Sequence, residues 1–95
     1  MKSLIIFGTA EIAELAYFYF TNDSDYEVVA FTVDDKFIGK NSLLNLPIIP
    51  YSEIVTKFPP EENSMHVALS YSKLNQLRQA KYEQAKDSGY HLASY

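Results

Sequence analysis

Residues 4–16 read LIIFGTAEIAELA, and the way this stretch folds decides how the rest of the chain is read. Ser3 to Phe7 is an almost wholly apolar run rich in Ile, as a strand buried on both faces requires. Gly8 and Thr9 break the run. From Ala10 to Phe20 the residues Ile12, Leu15, Ala16 and Tyr19 recur at spacings of three and four, which is helical. Thr9 is placed to serve as N-cap, and Glu11 and Glu14 complement the positive end of the helix dipole. A strand, a glycine turn and a helix in succession can hold a phosphate on the free N–H groups of the helix start. The dinucleotide version of that turn needs three small residues, here Gly8, Ala10 and Ala13. Ala10 adds a methyl where the phosphate comes closest, and Glu11 adds a negative charge beside it. Two readings follow: a weakened phosphate cradle, or a tight turn whose Glu serves the helix.

The alternation continues outward. Glu27 to Val33 is a second apolar strand, with Asp34, Asp35 and Lys36 at its end. Residues 37–45 read as a loop. Leu46 to Pro50 suits a short edge strand, because its prolines forbid a central place. Tyr51 to Phe58 reads as a short helix with Ser52 as N-cap, and Met65 to Leu69 as a third main strand. Lys73 to Ser88 reads as the longest helix, with Leu74, Leu77, Ala80, Lys81, Gln84 and Ala85 at helical spacing. Gly89 suits the C′ position and Tyr90 the apolar contact that follows it. Tyr90 to Tyr95 alternates as a last strand. This order predicts one α/β domain over residues 1–95, with helices covering a mostly parallel sheet of four to five strands.

Composition removes several classes of function. The 95 residues are 47% hydrophobic and 15% aromatic, which is globular composition. There is no Cys, so disulfides and thiolate metal sites are excluded, and two distant His make a His-based metal site a poor expectation. The formal charge is −4 and no block of Lys or Arg occurs, so neither nucleic acid nor an anionic membrane is an expected partner. The apolar run at residues 3–7 is too short for a membrane span and lacks the flanks of a secretory signal, so a cytoplasmic setting is expected.

Ligands of open α/β sheets bind at the C-terminal strand ends, where the strand order reverses. Gly8–Glu11, Asp34–Lys36, Ser70–Ser72 and the end of the chain should meet there. An acid after the second strand, roughly 20 residues beyond the glycine turn, commonly takes ribose hydroxyls. Asp34 and Asp35 fit that role, and Lys36 can neutralise phosphate; the alternative is a solvated polar loop. Ser70, Tyr71 and Ser72 offer hydroxyls or, in the case of Ser72, a helix cap. Asn75 and Arg78 lie one turn apart, with Arg78 able to reach a phosphate or pair with a neighbouring acid. His66 and His91 have no triad partners nearby and read as structural. The aromatic run Tyr17-Phe18-Tyr19-Phe20 exceeds what one buried helix face holds. Two of the four suit the core, and the others suit a contact with another domain or subunit.

Together KSLIIFGTAEIAELA, VVAFTVDDKFIG, LPIIPYSEI, VALSYSKLNQLRQAKYEQAKDSGY and HLASY resemble a known domain. It is the N-terminal domain of bacterial sugar O-/N-acyltransferases of the sialic acid O-acetyltransferase type. The group includes N-acetyltransferases acting on UDP-4-amino sugars. The resemblance spans the whole chain. It implies a Rossmann-like, three-layer domain that binds the nucleotide part of a UDP- or TDP-linked sugar. It also implies a following left-handed β-helix of hexapeptide repeats, which trimerises, binds acetyl-CoA as co-substrate and carries the catalytic His. The chain ends where that second domain is expected to begin. The family turn reads glycine, small, small, glycine, histidine. Gly8, Thr9 and Ala10 match its opening, while Glu11 and Ile12 replace its glycine and histidine. Asp34, Asp35 and Lys36 match the family's acid pair and basic residue, and neither His66 nor His91 matches its catalytic His. The implied site is therefore Gly8, Thr9, Ala10, Glu11, Asp34, Asp35, Lys36 and Ser70, with no catalytic residue, metal or cofactor of its own in this domain. Asp34 and Asp35 are expected on base or ribose, and Lys36 on phosphate. Two other readings are a subunit-contact domain that has lost its ligand and, more remotely, an NAD-binding oxidoreductase fragment.

Overall fold

The computed structural model describes residues 2–69 and 75–93, and for residues 75–78 the backbone only. The alternation is realised as β1 (Lys2–Phe7), α1 (Glu11–Asp23), β2 (Tyr26–Val33), a 3-10 turn (Asp35–Phe37), β3 (Ser42–Leu43), β4 (Leu46–Pro50), α2 (Tyr51–Lys57), β5 (Asn63–Val67), α3 (Asn75–Asp87) and β6 (His91–Leu92). The sheet order is β3-β4-β2-β1-β5-β6. All its neighbours are parallel except β3 and β4. The fold is α/β and Rossmann-like, as expected, with six strands rather than four or five.

The extra strand is β3, which lies in the stretch read as loop. Ser42 pairs with Pro47 and Leu43 with Leu46, leaving a two-residue turn. That turn puts Leu44 at φ 51° and Asn45 at φ 65°. Asn suits this left-handed backbone, but Leu does not advertise it, so the sequence carries only half of the usual hairpin signal.

Two apolar clusters sandwich the sheet. On one face α1 sets Ala13, Ala16 and Phe20 against Leu4 and Ile6 of β1 and Val28 and Phe31 of β2. On the other face Ile54 of α2 and Ala85 of α3 meet Ile5, Phe7, Met65 and Val67. The buried face of α1 is thus not the expected stripe: Ile12 is half-buried and Leu15 and Tyr19 are exposed. Apolar residues surround much of this helix, so periodicity alone left its rotation ambiguous. Small Ala13 and Ala16 decide it by letting the helix close on the strands.

Val28 and Phe31 lie three apart yet share a face, which a regular strand with its period of two forbids. A bulge resolves this. The register of β1 against β2 jumps from Leu4↔Val28 to Ile5↔Ala30, leaving Val29 over. Beyond the bulge the alternation is inverted. Val33 faces α1, and the next residue, Asp34, faces the α2 and α3 layer. Without the bulge Asp34 would point to the opposite side of the sheet.

The ends of α3 and α1 contrast. Gly89, at φ 101°, donates its N–H to the Lys86 carbonyl, and Tyr90 donates to Ala85, the two bonds of a Schellman cap. At the other helix the N-cap place falls to Ala10, which offers no side-chain bond, rather than to Thr9. Pro50, not Ser52, holds the corresponding place before α2.

Candidate functional site

From β1 the chain moves out through β2 to β4 with α1 on one face. It then returns through α2 to β5, on the other side of β1, with α2 and α3 on the opposite face. The strand order therefore reverses between β1 and β5, and the C-terminal ends of these strands form the crevice where this fold binds ligands. A cavity of about 180 Å³ occupies that crevice. Gly8 and Thr9 supply the β1 side, Val33 and Asp34 the end of β2, and Leu69 the end of β5. Phe7, Phe37 and Lys81 complete the walls.

Gly8 is required here by backbone approach. Its N–H donates to the Thr32 carbonyl at 2.8 Å, and its φ is 123°. A Cβ on Gly8 would meet the Ala68 carbonyl oxygen at 2.8 Å. That contact alone calls for glycine at this position, whether or not a ligand approaches the turn.

Asp34 is the charged centre of the cavity. Lys81, on α3, donates to its Oδ1 at 2.7 Å and lies 2.6 Å from its Oδ2. Both side chains are largely buried, which spares the pair most of the screening that weakens surface ion pairs. The Lys81 ammonium also reaches Gln84 Oε1 at 3.2 Å and sits 5.4 Å from the centre of the Phe7 ring. Tyr51 stacks edge-on against Phe7, and its hydroxyl bonds with Ser88 Oγ at 3.1 Å. Burial raises the Tyr51 pKa, and the Asp34 charge adds to the rise.

The other expected residues divide. Asp35 is exposed, and its Oδ1 accepts the backbone N–H of Ser52 at 3.1 Å, so it caps the first turn of α2. Bonds from Ser52, the side chain first and the backbone second, hold its carboxyl below the usual range. Lys36 is exposed, with its ammonium 5.1 Å from the centre of the Phe37 ring. Ala10 is exposed at the helix start. Glu11 belongs to another surface, a groove of about 520 Å³ along α1 with Ile12, Leu15 and Phe18. Ser70, with Tyr71 and Ser72, lies outside the described residues, as does the Arg78 side chain. Of the expected set the cavity thus gathers Gly8, Thr9 and Asp34. It adds Lys81, Phe37 and Leu69, which sequence reasoning missed. Lys81 had one legible signal: a base on the apolar stripe of its helix, beside Ala85.

His66 is buried, accepts or donates at Nδ1 with the Ala93 carbonyl at 2.9 Å, and packs 5.0 Å from the Phe20 ring, in keeping with a structural role. A larger hollow of about 400 Å³, lined in part by Lys2, Glu61 and His91, lies at the N-terminal strand ends, opposite the edge this fold uses. Among the described residues no group of three His, Asp or Glu could hold a metal, and no helix is long and apolar enough to cross a membrane.

No protein-family model matches the chain, and no curated protein does. Solved structures do. The chain is similar in fold to the acetyltransferase domain of PglB from Neisseria gonorrhoeae FA1090. With the structure of that domain in complex with acetyl coenzyme A the TM-score is 0.72 at 22% identity, over 94% of this chain and 40% of that one. A second structure of the domain gives 0.71 at 21%, over 95% and 42%. The chain therefore spans about 40% of the length of those PglB structures. UDP-D-quinovosamine 4-dehydrogenase from Vibrio fischeri matches with a TM-score of 0.65 at 12% identity, over 96% of this chain and 75% of that one.

Proposed function

We propose that the chain is a nucleotide-sugar-binding domain of a sugar acyltransferase, an enzyme that passes an acyl group from acyl-CoA to a sugar amine or hydroxyl. The observation that carries this reading is the cavity at the strand reversal with the Asp34 carboxylate at the end of β2, where acids of this fold take ribose hydroxyls. The likenesses support the two halves of the reading. One matched structure is an acetyltransferase domain holding acetyl coenzyme A, and the other is an enzyme named for a UDP-linked sugar. In this proposal Asp34 accepts ligand hydroxyls, Gly8 and Thr9 wall the pocket, and the turn bearing Asp35 and Lys36 borders it. Ser70 is proposed as a further contact of the same ligand. The chain by itself binds without catalysing, since acyl transfer and the acetyl-CoA site belong to a further, trimerising domain.

A second reading has its own support. Phe18 is 51% exposed and Leu15 53%, which suits a domain that serves as a subunit contact through α1. Calorimetric titration of the chain with UDP, TDP, NAD and acetyl-CoA separates the readings. Saturable heat with UDP or TDP, and none with acetyl-CoA, is expected. Silence from UDP and TDP up to millimolar concentration leaves the contact reading in its place, and heat from NAD alone points to an oxidoreductase fragment.

A further inference from the structure

We propose that Lys81 is the residue that receives the ligand's phosphates, giving up part of its contact with Asp34 when a nucleoside diphosphate enters the cavity. The inference rests on the nucleotide-binding reading and adds to it the cation and the charged part of the ligand. Three observations set Lys81 apart from the other residues considered for the phosphates. Gly8 offers no side chain, and its N–H is already given to the Thr32 carbonyl at 2.8 Å. Glu11 carries its charge to the groove along α1. Lys36 holds its ammonium over the exposed Phe37 ring and does not line the cavity.

Lys81 is the one cation among the described residues that line the cavity. Its ammonium has three N–H groups, and two of its contacts, at 2.7 and 2.6 Å, go to a single carboxylate. That carboxylate needs less from Lys81 once ribose hydroxyls donate to it. A compact charge on a flexible four-carbon stem can then turn towards a second anion while staying within reach of the first. Electrostatics demand such an arrangement. A diphosphate brought close to Asp34 in a crevice of low dielectric is repelled unless a cation stands between the two. Without ligand the same pairing holds the Lys81 ammonium in place beside the Phe7 ring, so neither charge of the pair stands alone.

The test compares UDP with uridine, which shares the base and ribose and lacks the phosphates. Titration calorimetry is run on the wild-type chain, Lys81→Met and Lys81→Arg. Lys81→Met is expected to weaken UDP about tenfold or more and uridine by less than about twofold, with Lys81→Arg restoring most of the loss. In the wild-type chain the side-chain NMR signals of Lys81 should move with UDP and stay with uridine, a readout that holds even if Lys81→Met folds poorly. Equal losses for the two ligands would reduce Lys81 to a support for Asp34, and UDP binding to Lys81→Met at wild-type strength would remove it from the site. Absence of UDP binding by the wild-type chain overturns the nucleotide reading itself, and the inference with it.

Discussion

At the scale of single residues, Gly8 and Tyr90 show how tertiary contacts set what a position tolerates. Gly8 was legible as a turn residue, but the reason for it is a carbonyl contributed from the end of β5, 60 residues away in sequence (Gly8 to Ala68). Gly8→Ala combines a 2.8 Å clash with a φ of 123°, and it should destabilise the fold by about 2–3 kcal/mol in denaturant unfolding. Tyr90 is buried and its hydroxyl donates to the Phe58 carbonyl at 2.7 Å. Burial, helped by the charges of Tyr51 and Glu61, pushes its pKa up to about 12 from 10.0. A folded-state pKa raised above the unfolded one gives stability that is complete below pH 10 and is lost as pH climbs towards 12. Tyr90→Phe should flatten that alkaline loss in thermal melts across the same window. At neutral pH it should cost about 1–2 kcal/mol, because the Phe58 carbonyl loses its donor.

Among the elements, α2 depends on a residue outside itself. Its N-cap place is held by Pro50, which supplies no side-chain oxygen, and Asp35 reaches across to the Ser52 N–H instead. The two adjacent acids therefore have different tasks, Asp34 in the cavity and Asp35 on the helix. The sequence could not separate them, because the choice depends on the bulge at Val29 that fixes which side of the sheet each faces. The Asp35 carboxyl titrates below 3.8, so its contribution is present above that pH and disappears as pH falls through the lower folded value. Asp35→Ala should accordingly lower the melting temperature at pH 7, and the gap to wild type should close in acid, both followed by circular dichroism. The elements that were legible, β1, β2, β5 and the cap of α3, are those whose apolar runs or glycine admit one reading. β3 and the rotation of α1 were not. Leu44 conceals a hairpin turn, and the apolar residues around α1 fit more than one face.

For the whole molecule, the alternation of strands and helices was enough to give a parallel sheet, since strands covered on both sides must be apolar throughout. It did not show that the two halves of the sheet are joined across the cavity. Asp34 ends β2 in one half, Lys81 lies on α3 above β5 in the other, and their ion pair spans the reversal point. A ligand that engages both therefore ties the halves together in a way the unfolded chain cannot reproduce, and its binding energy appears as stability. At a UDP concentration ten times its Kd, linkage adds about 1.4 kcal/mol. For a domain of this length that corresponds to a rise in melting temperature of about 6–11 °C. Uridine, which lacks the group meant for Lys81, needs a higher concentration to produce the same rise. If the acyl donor binds elsewhere, as proposed, acetyl-CoA should leave the melting temperature unchanged. A scanning-calorimetry series over the three ligands decides the matter: a rise with acetyl-CoA and none with UDP would move the acyl donor into this cavity and the nucleotide sugar out of it.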